Sequence, residues 1–461
     1  MNPRRLWAFL SLALLALSPA HASKPLEAWY GLYLQGAKVG YSYWRLEPTA
    51  SGFRLTERTT VDLNMLGMPK RLSTHTQAEL TPRAELRRFT FRLESPDQNL
   101  NLTGQVRNHV VELAGKRLDT GGLPAVLNAM VPVVLHRNPR LQAFALVDPS
   151  TFTVSPASVE HLGQDTLTVA GQRHTAQVFR IAYLGTENRL YLDTETGLLL
   201  KETSPMAMTT VLEPQEQALQ LGGQRIDILR LFSIQPVGLE GPIHQYRYLK
   251  LELTGLPDPT EVPLDLSFAS QRLVERQGNR AVLEILKPEI PQGTNSSPLP
   301  ESLRVYLEPT DALQVDDPEI QNLARQLTAG ITDPVEKARR ILDYVYRSLE
   351  KRPSVTLPTA LEVLHQGYGD CNEHSVLFAA LARAAGVPTR ITVGLVYQGD
   401  AYYYHAWDAV YAHGQWFFVD PVMGEFPASI GHILLKIGGI EEQARLLPIV
   451  GVLRIRVLDA R

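Results

Sequence analysis

From Leu26 to about Glu216 apolar and polar residues alternate, with Gly, Pro or polar punctuation every ten to twelve positions. Period two places successive side chains on opposite faces of a strand, so this segment predicts antiparallel β structure. "AWYGLYLQGAKVGYSYWRLEP" predicts two strands around Gln35-Gly36-Ala37-Lys38, and "NRLYLDTETGLLLKETS" predicts a hairpin bent at Thr194-Glu195-Thr196-Gly197. A short helix is expected near Leu123 to Leu135. The pattern fits a curved sheet, a half-barrel or a sandwich. A second β-rich block, "QRIDILRLFSIQP", "QYRYLKLELTGL" and "RAVLEILKPEIP", precedes a Pro/Ser-rich linker at Pro288–Leu303.

After Pro309 the period becomes helical. "DDPEIQNLARQLTAG" reads as one helix, with Asp316 or Asp317 near its cap. "DPVEKARRILDYVYRSLEK" reads as another, with Asp333 as N-cap, Pro334 at the first position and Glu336 three after the cap. Thr359 and Glu362 form a capping-box pattern for a short third helix. A fourth is expected from Asn372 to Ala385, stopped by Gly386-Val387-Pro388. The strands "RITVGLVYQ", "AYYYHAWDAVYA" and "QWFFVDP" follow. The fold class is α+β. The expected division is a signal peptide over residues 1–22, an antiparallel β domain over 23–216, a second β-rich domain and linker over 217–305, and a helix-and-sheet domain over 306–461.

The N-terminus carries Arg4 and Arg5, an apolar run Leu6–Leu17, and Ala20-His21-Ala22. That is the layout of a cleavable secretory signal cut after Ala22, and its apolar run falls short of the ~20 residues that span a bilayer. The expected location is the periplasm or the exterior, with no transmembrane span after cleavage. The formal charge is -3, becoming -5 (43 basic against 48 acidic) once the two signal arginines leave. This gives no electrostatic footprint for nucleic acid. No calcium-loop or nucleotide signature occurs, so no cofactor is expected. The Asn101 and Asn295 sequons read as coincidence.

The chain holds one cysteine, Cys371, in "GYGDCNEHSVLFAALARAAGVPTR". An intrachain disulfide and a multi-cysteine metal cage are therefore excluded. A buried apolar thiol, a surface thiol and a nucleophile remain open. Gly367 and Gly369 allow a tight bend, and Cys371 falls at a helix N-terminus, where unpaired N–H groups favour negative charge. That position predicts a lowered thiol pKa. A thiolate nucleophile needs an imidazole and a group to orient it. If His413-Gly414 is a two-residue hairpin turn, Trp407 faces Asp420, and Asp420 shares a sheet face with His405 one diagonal step away. The same counting, with Gly399-Asp400 as the preceding turn, sets Gly394 opposite His405 and leaves space beside the ring. Asp420, at the end of an apolar strand, reads either as a cap on the turn before Pro421 or as a buried partner of His405.

Gly369-Asp370-Cys371-Asn372-Glu373-His374-Ser375, "ALARAAGVPTR", His405-Ala406-Trp407 and "GQWFFVDP" together resemble the transglutaminase-like superfamily. The likeness is to its bacterial exported subclass, whose nucleophile segment reads D-C-x-E-H, and it covers Pro309 to Leu435. The resemblance implies a papain-like arrangement, with the Cys-bearing helix packed on an antiparallel sheet. It implies Cys371 as nucleophile, His405 as base and Asp420 as orienting acid, with Glu373 and His374 supporting the pocket. Apart from the resemblance, Trp407 is a candidate to wall the site against water. The chain departs from the family pattern in lacking a Thr after Asp420-Pro421 and in having Asp408-Ala409 after Trp407. Both departures are expected to bear on substrate contacts.

The implied chemistry is acyl transfer on an amide of a protein or peptide, resolved by water or by an amine. The Cys371 N–H is an expected oxyanion donor, and Gln366 and Tyr368 are candidates for a second. The alternative is a non-catalytic exported binding or assembly protein with a vestigial triad. A metal site built from His374, His405, His413 and a carboxylate lacks a ligand spacing that would support it.

Overall fold

The structure is a computed structural model that describes residues 24–461 except 66–67, 97, 184–185, 205–207, 222–225, 261, 294–298, 353–357, 440–441, 444 and 447–448. The signal segment and the Asn295 sequon lie outside the described residues.

Period-two alternation builds one fifteen-stranded sheet from two meanders. The first runs outward through β1 (Leu26–Leu34), β2 (Ala37–Thr49), β3 (Gly52–Met65), β4 (Met68–Leu80) and β5 (Leu86–Glu94) to Lys116–Asp119. The second returns to Met208–Glu213, which pairs with β1 in the register Trp29 to Glu213. All pairs are antiparallel except Ala125–Leu127 with Ala143–Asp148. One core takes Phe89 and Phe91 from the first arm and Phe144 and Phe179 from the second, so the sheet curls around a common interior. The helix expected near 123–135 is a 3-10 turn, Asn128–Met130, followed by helix Val131–Arg137, and it lies inside that curl. Trp44 Nε1 donates to the Ala129 carbonyl at 2.9 Å and ties it there.

The second β block differs from expectation at its start. Ile228–Leu231 is a short helix, and the pairing there is reduced to isolated bridges, Asp227 to Asn64 and Ile234 to Tyr402. Tyr248–Thr254, Gln271–Gln277 and Arg280–Leu286 form a sheet that also takes the last strand, Arg454–Ala460. That sheet therefore draws strands from both sides of residues 306–453.

The helical segment follows its capping signals. Asp317 and Asp333 cap Pro318–Leu327 and Pro334–Ser348. Thr359 and Glu362 close a capping box on Ala360–Gln366, which Gly367 ends at φ 71°. The Cys helix, Cys371–Ala384, is buried along almost its whole length, and its Leu377, Phe378 and Leu381 share a core with Ile341 and Val410. It lies on a four-stranded antiparallel sheet in the order Gln415–Val419, Ala401–Ala412, Thr389–Gln398, His432–Ile437. The Val410 end of that sheet meets the helices. The Tyr402 and Ala406 end shares a core with the second β sheet. Cys371 packs against this latter core, at the junction of the two layers.

His413 and Gly414 both have positive φ, as a tight hairpin turn requires, and Ala412 faces Gln415. Gly394 faces His405, but the space beside it is filled. A Cβ there would sit 2.0 Å from the Ile433 carbonyl oxygen and 2.9 Å from Trp407, at the bulge where the strand meets His432–Ile437. The glycine serves strand approach rather than the imidazole. Gly394→Ala should therefore lower stability by about 1–3 kcal/mol, the usual cost of overpacking, and thermal or urea unfolding measures it.

Candidate active site

The strand Gln415–Val419 pairs with the His strand (Ala401–Ala412) only as far as Asp408, which faces Val419. Further back along that edge, Ile234 bridges Tyr402. Alternation leaves the Ala406 amide directed out of the edge between these two points. The Cys371 sulfur lies at that gap, near the Ala406 N–H, which offsets part of the rise that burial causes in the thiol pKa. The half-buried thiol thus lies beside the residue that follows His405, at a strand edge open toward either sheet face.

The local sequence makes the helix start. Asp370 is the N-cap, its Oδ1 accepts from the Asn372 N–H at 3.1 Å, and its own N–H donates to Glu373 at 2.9 Å. Glu373 is therefore a buried capping residue. His374 is fully buried, and its Nδ1–H donates to the Asp370 carbonyl at 2.7 Å, leaving Nε2 bare and unpartnered. Burial lowers its pKa, so the ring is held neutral. Gln366 donates to the Tyr368 carbonyl at 2.8 Å, and the Arg352 guanidinium lies 3.7 Å over the Tyr368 ring. Both residues brace the loop before Cys371.

Asp420 is fully buried and uses both oxygens. Oδ1 accepts from the Val422 and Met423 N–H groups, each at 2.9 Å, and caps the turn after Pro421. Oδ2 accepts from His405 Nε2 at 2.7 Å and from His432 Nε2 at 3.0 Å. Both readings of this aspartate, turn cap and imidazole partner, hold at once. Burial alone would raise its pKa, but His405 and His432 hold it well below the usual carboxylate range. The His405 ring stacks on Trp407 at 6.2 Å and 15° between planes, with Nε2 committed to Asp420. Nδ1 is left as the nitrogen free to take a proton.

His432 escaped the sequence reading. It sits in "GHILLK", twelve residues beyond Asp420, on a strand that pairs with the far side of Thr389–Gln398. Nothing local marks it; only the tertiary fold brings it to Asp420. It is almost fully buried, and Trp407 meets its ring edge-on at 5.0 Å. Burial pulls its pKa down, but the hydrogen bond and charge of Asp420 outweigh this and raise it.

Other expectations are corrected. Burial first, then the charges of Asp370, Glu373 and Asp420, push the Cys371 thiol well above its ordinary value, although a lowered pKa was expected from its helix N-terminus. Asp408 bears on the core, not on substrate contacts, because alternation from His405 turns it under the Cys helix beside Ser375, fully buried. Burial, the largest cause, raises its pKa well above the ordinary carboxylate value. His413 bonds Asp333 at 2.9 Å, outside the group formed by His405, Asp420 and His432. The ligand atoms of that group lie within 4.8 Å of one another, but Asp420 meets both imidazoles at hydrogen-bond distances.

Residues 321–421 match the family model described as the Transglutaminase-like superfamily, so the C-terminal third of the chain carries a transglutaminase-like domain. The solved structures similar to the chain include a candidate cysteine protease from Cytophaga hutchinsonii, at 17% identity and TM-score 0.32, covering 45% of this chain and 82% of that one. The periplasmic domain of TgpA from Pseudomonas aeruginosa, bound to ethylmercury, is similar at 17% identity and TM-score 0.29, covering 43% and 92%. A beta-barrel-like domain of unknown function from Brucella abortus is similar at 14% identity and TM-score 0.33, covering 41% and 95%. No curated protein matches the chain. Among the described residues, no helix is long and apolar enough to cross a membrane.

Two outcomes follow from the site's electrostatics. Alkylation of Cys371 by iodoacetamide should keep accelerating above pH 9, the range where an ordinary thiol levels off, and stopped-flow or mass-spectrometric rates measure this. The His432 pKa is raised from 6.5, so its stabilisation is complete below that value and is lost as pH rises through the raised one. The difference in melting temperature between the native chain and His432→Gln should therefore be largest in acid to neutral buffer and shrink toward alkaline pH.

Proposed function

We propose that the chain is an exported thiol acyltransferase or amidase, working on amide bonds of a protein or peptide through Cys371, His405 and Asp420. The observation that carries this reading is the committed state of the imidazole: Asp420 Oδ2 holds His405 Nε2 at 2.7 Å, and the Cys371 sulfur lies near the amide of the next residue, Ala406. That orientation keeps the proton on Nε2 and makes Nδ1 the acceptor. The signal-like pattern over residues 1–22 supports export.

The raised thiol pKa favours a neutral resting thiol over a preformed ion pair. His405 Nδ1 takes the thiol proton as sulfur attacks the carbonyl carbon, and the carbonyl electrons move to oxygen. The Cys371 N–H, in the first helical turn, has no intrahelical acceptor and donates to that oxyanion. The imidazolium then protonates the leaving nitrogen, the C–N bond breaks, and a thioester remains. Water or an amine attacks the thioester, again with His405 as base, and restores the thiol. Trp407 holds the ring plane, and Asp420 holds the tautomer.

A second reading, a non-catalytic binding or assembly protein, draws support from the three carboxylates around the thiol. Incubation with a casein-type substrate, with and without a fluorescent primary amine, separates the two readings. The enzyme reading expects a substrate-derived adduct on Cys371 by mass spectrometry and either peptide cleavage or amine incorporation. Cys371→Ala should abolish all of these, and His405→Ala should slow turnover by about 10²–10⁴-fold, the usual worth of a general base. Asp420→Asn should cost less than His405→Ala. Full turnover by Cys371→Ala would end the enzyme reading.

A further inference from the structure

The curled N-terminal sheet carries a second feature, remote in sequence from the thiol. Across its outward strands five residues stand directly opposite one another in register. Trp29 on β1 faces Tyr43 on β2, Tyr43 faces Arg58 on β3, Arg58 faces His75 on β4, and His75 faces Arg92 on β5. They share the face opposite the core row Ala28, Trp44 and Phe91. They floor a cleft of about 800 Å³, and Gln215 and Leu219 of helix Gln215–Leu219 line it.

The chemistry along this row is ordered. Trp29 and Tyr43 pack at 4.9 Å between ring centroids, tilted 46° to each other, and are half-buried, so one end of the row is aromatic. Arg58 is exposed and makes no ion pair among the described residues. Arg92 is exposed and approaches Glu94 only at 4.0 Å. His75 lies between these cations with Nε2 unpartnered, and burial and the two arginines lower its pKa. The flanking rows supply hydroxyls and an amide, among them Thr56, Thr60, Ser73 and Gln77, and the cleft's Glu27 and Glu47 are ion-paired to Arg45. Neighbouring strands are ~4.8 Å apart, so the row runs roughly 19 Å across the sheet.

We propose that this cleft binds a short acidic oligosaccharide laid across the strands, with ring faces on Trp29 and Tyr43 and carboxylates on Arg58 and Arg92. Aromatic faces meet the C–H surface of sugar rings, the hydroxyl rows match sugar hydroxyls, and the unpaired Arg58 and the Arg92 guanidinium, held by Glu94 only at 4.0 Å, match carboxylates in fork geometry. An acidic peptide fits less well. Every floor strand is already paired on both edges, so none offers a backbone for strand addition.

Isothermal titration of the full chain with tetragalacturonate at low salt tests this, with cellotetraose and tetraglutamate as parallel probes. Saturable binding of the tetragalacturonate alone is expected. It should weaken by roughly tenfold or more in Arg58→Ala and in Arg92→Ala, as loss of a charge-assisted contact implies, while Cys371→Ala binds as the native chain does. Thermal melts should show both arginine variants folded, since the side chains are exposed. Saturation should also raise the His75 titration seen by NMR, because the bound anion offsets its cationic neighbours. Equal binding of tetraglutamate or of cellotetraose, unchanged affinity in both arginine variants, or no binding would each overturn the proposal.

Discussion

One buried carboxylate organises the C-terminal domain. Asp420 accepts two backbone N–H groups on one oxygen and two imidazole nitrogens on the other. Removing an ionised carboxylate from water is costly, and only dense hydrogen bonding makes such burial tolerable. Those same bonds lock the turn after Pro421, fix the His405 ring and recruit the strand bearing His432. Turn geometry, tautomer and strand placement are therefore one coupled arrangement.

The sulfur gains its position from an interruption in the sheet. Had Gln415–Val419 continued alongside the His strand, the Ala406 amide would have been consumed by a neighbouring strand. The strand stops opposite Asp408, and the end of the Cys helix fills the vacancy. Residues on opposite sheet faces cannot ordinarily meet, because alternation separates them by the thickness of the sheet. An edge is the one place where a group from the helix layer comes level with a ring on the other face. The second β sheet covers what the helices leave open at this junction.

Electrostatics at the thiol show competition between a helix end and its own cap. The macrodipole favours a thiolate, but the residues that make the helix start there are Asp370 and Glu373, both acidic. At close range and in a buried setting their charges, with that of Asp420, oppose the dipole, and burial opposes it further. The imidazole must then do the work of deprotonation. This makes the tautomer imposed by Asp420 more consequential than it would be beside a preformed thiolate.

Much of this protein was legible in the chain itself, because the informative signals are local. Capping residues at Asp317, Asp333 and Thr359, the His413-Gly414 turn, and strand alternation act over a few residues. Register then carried the link between His405 and Asp420 across a single hairpin. What lay beyond reach depends on distant contacts. His432 joins Asp420 through a non-adjacent strand, Gly394 answers to that same strand, and Asp408 is read correctly only once the helix above it is placed. The thiol pKa depends on how many carboxylates crowd it, and the strand Arg454–Ala460 pairs with residues some two hundred positions earlier. Local sequence sets backbone conformation, whereas burial, shared hydrogen bonds and summed charge are properties of the folded neighbourhood alone.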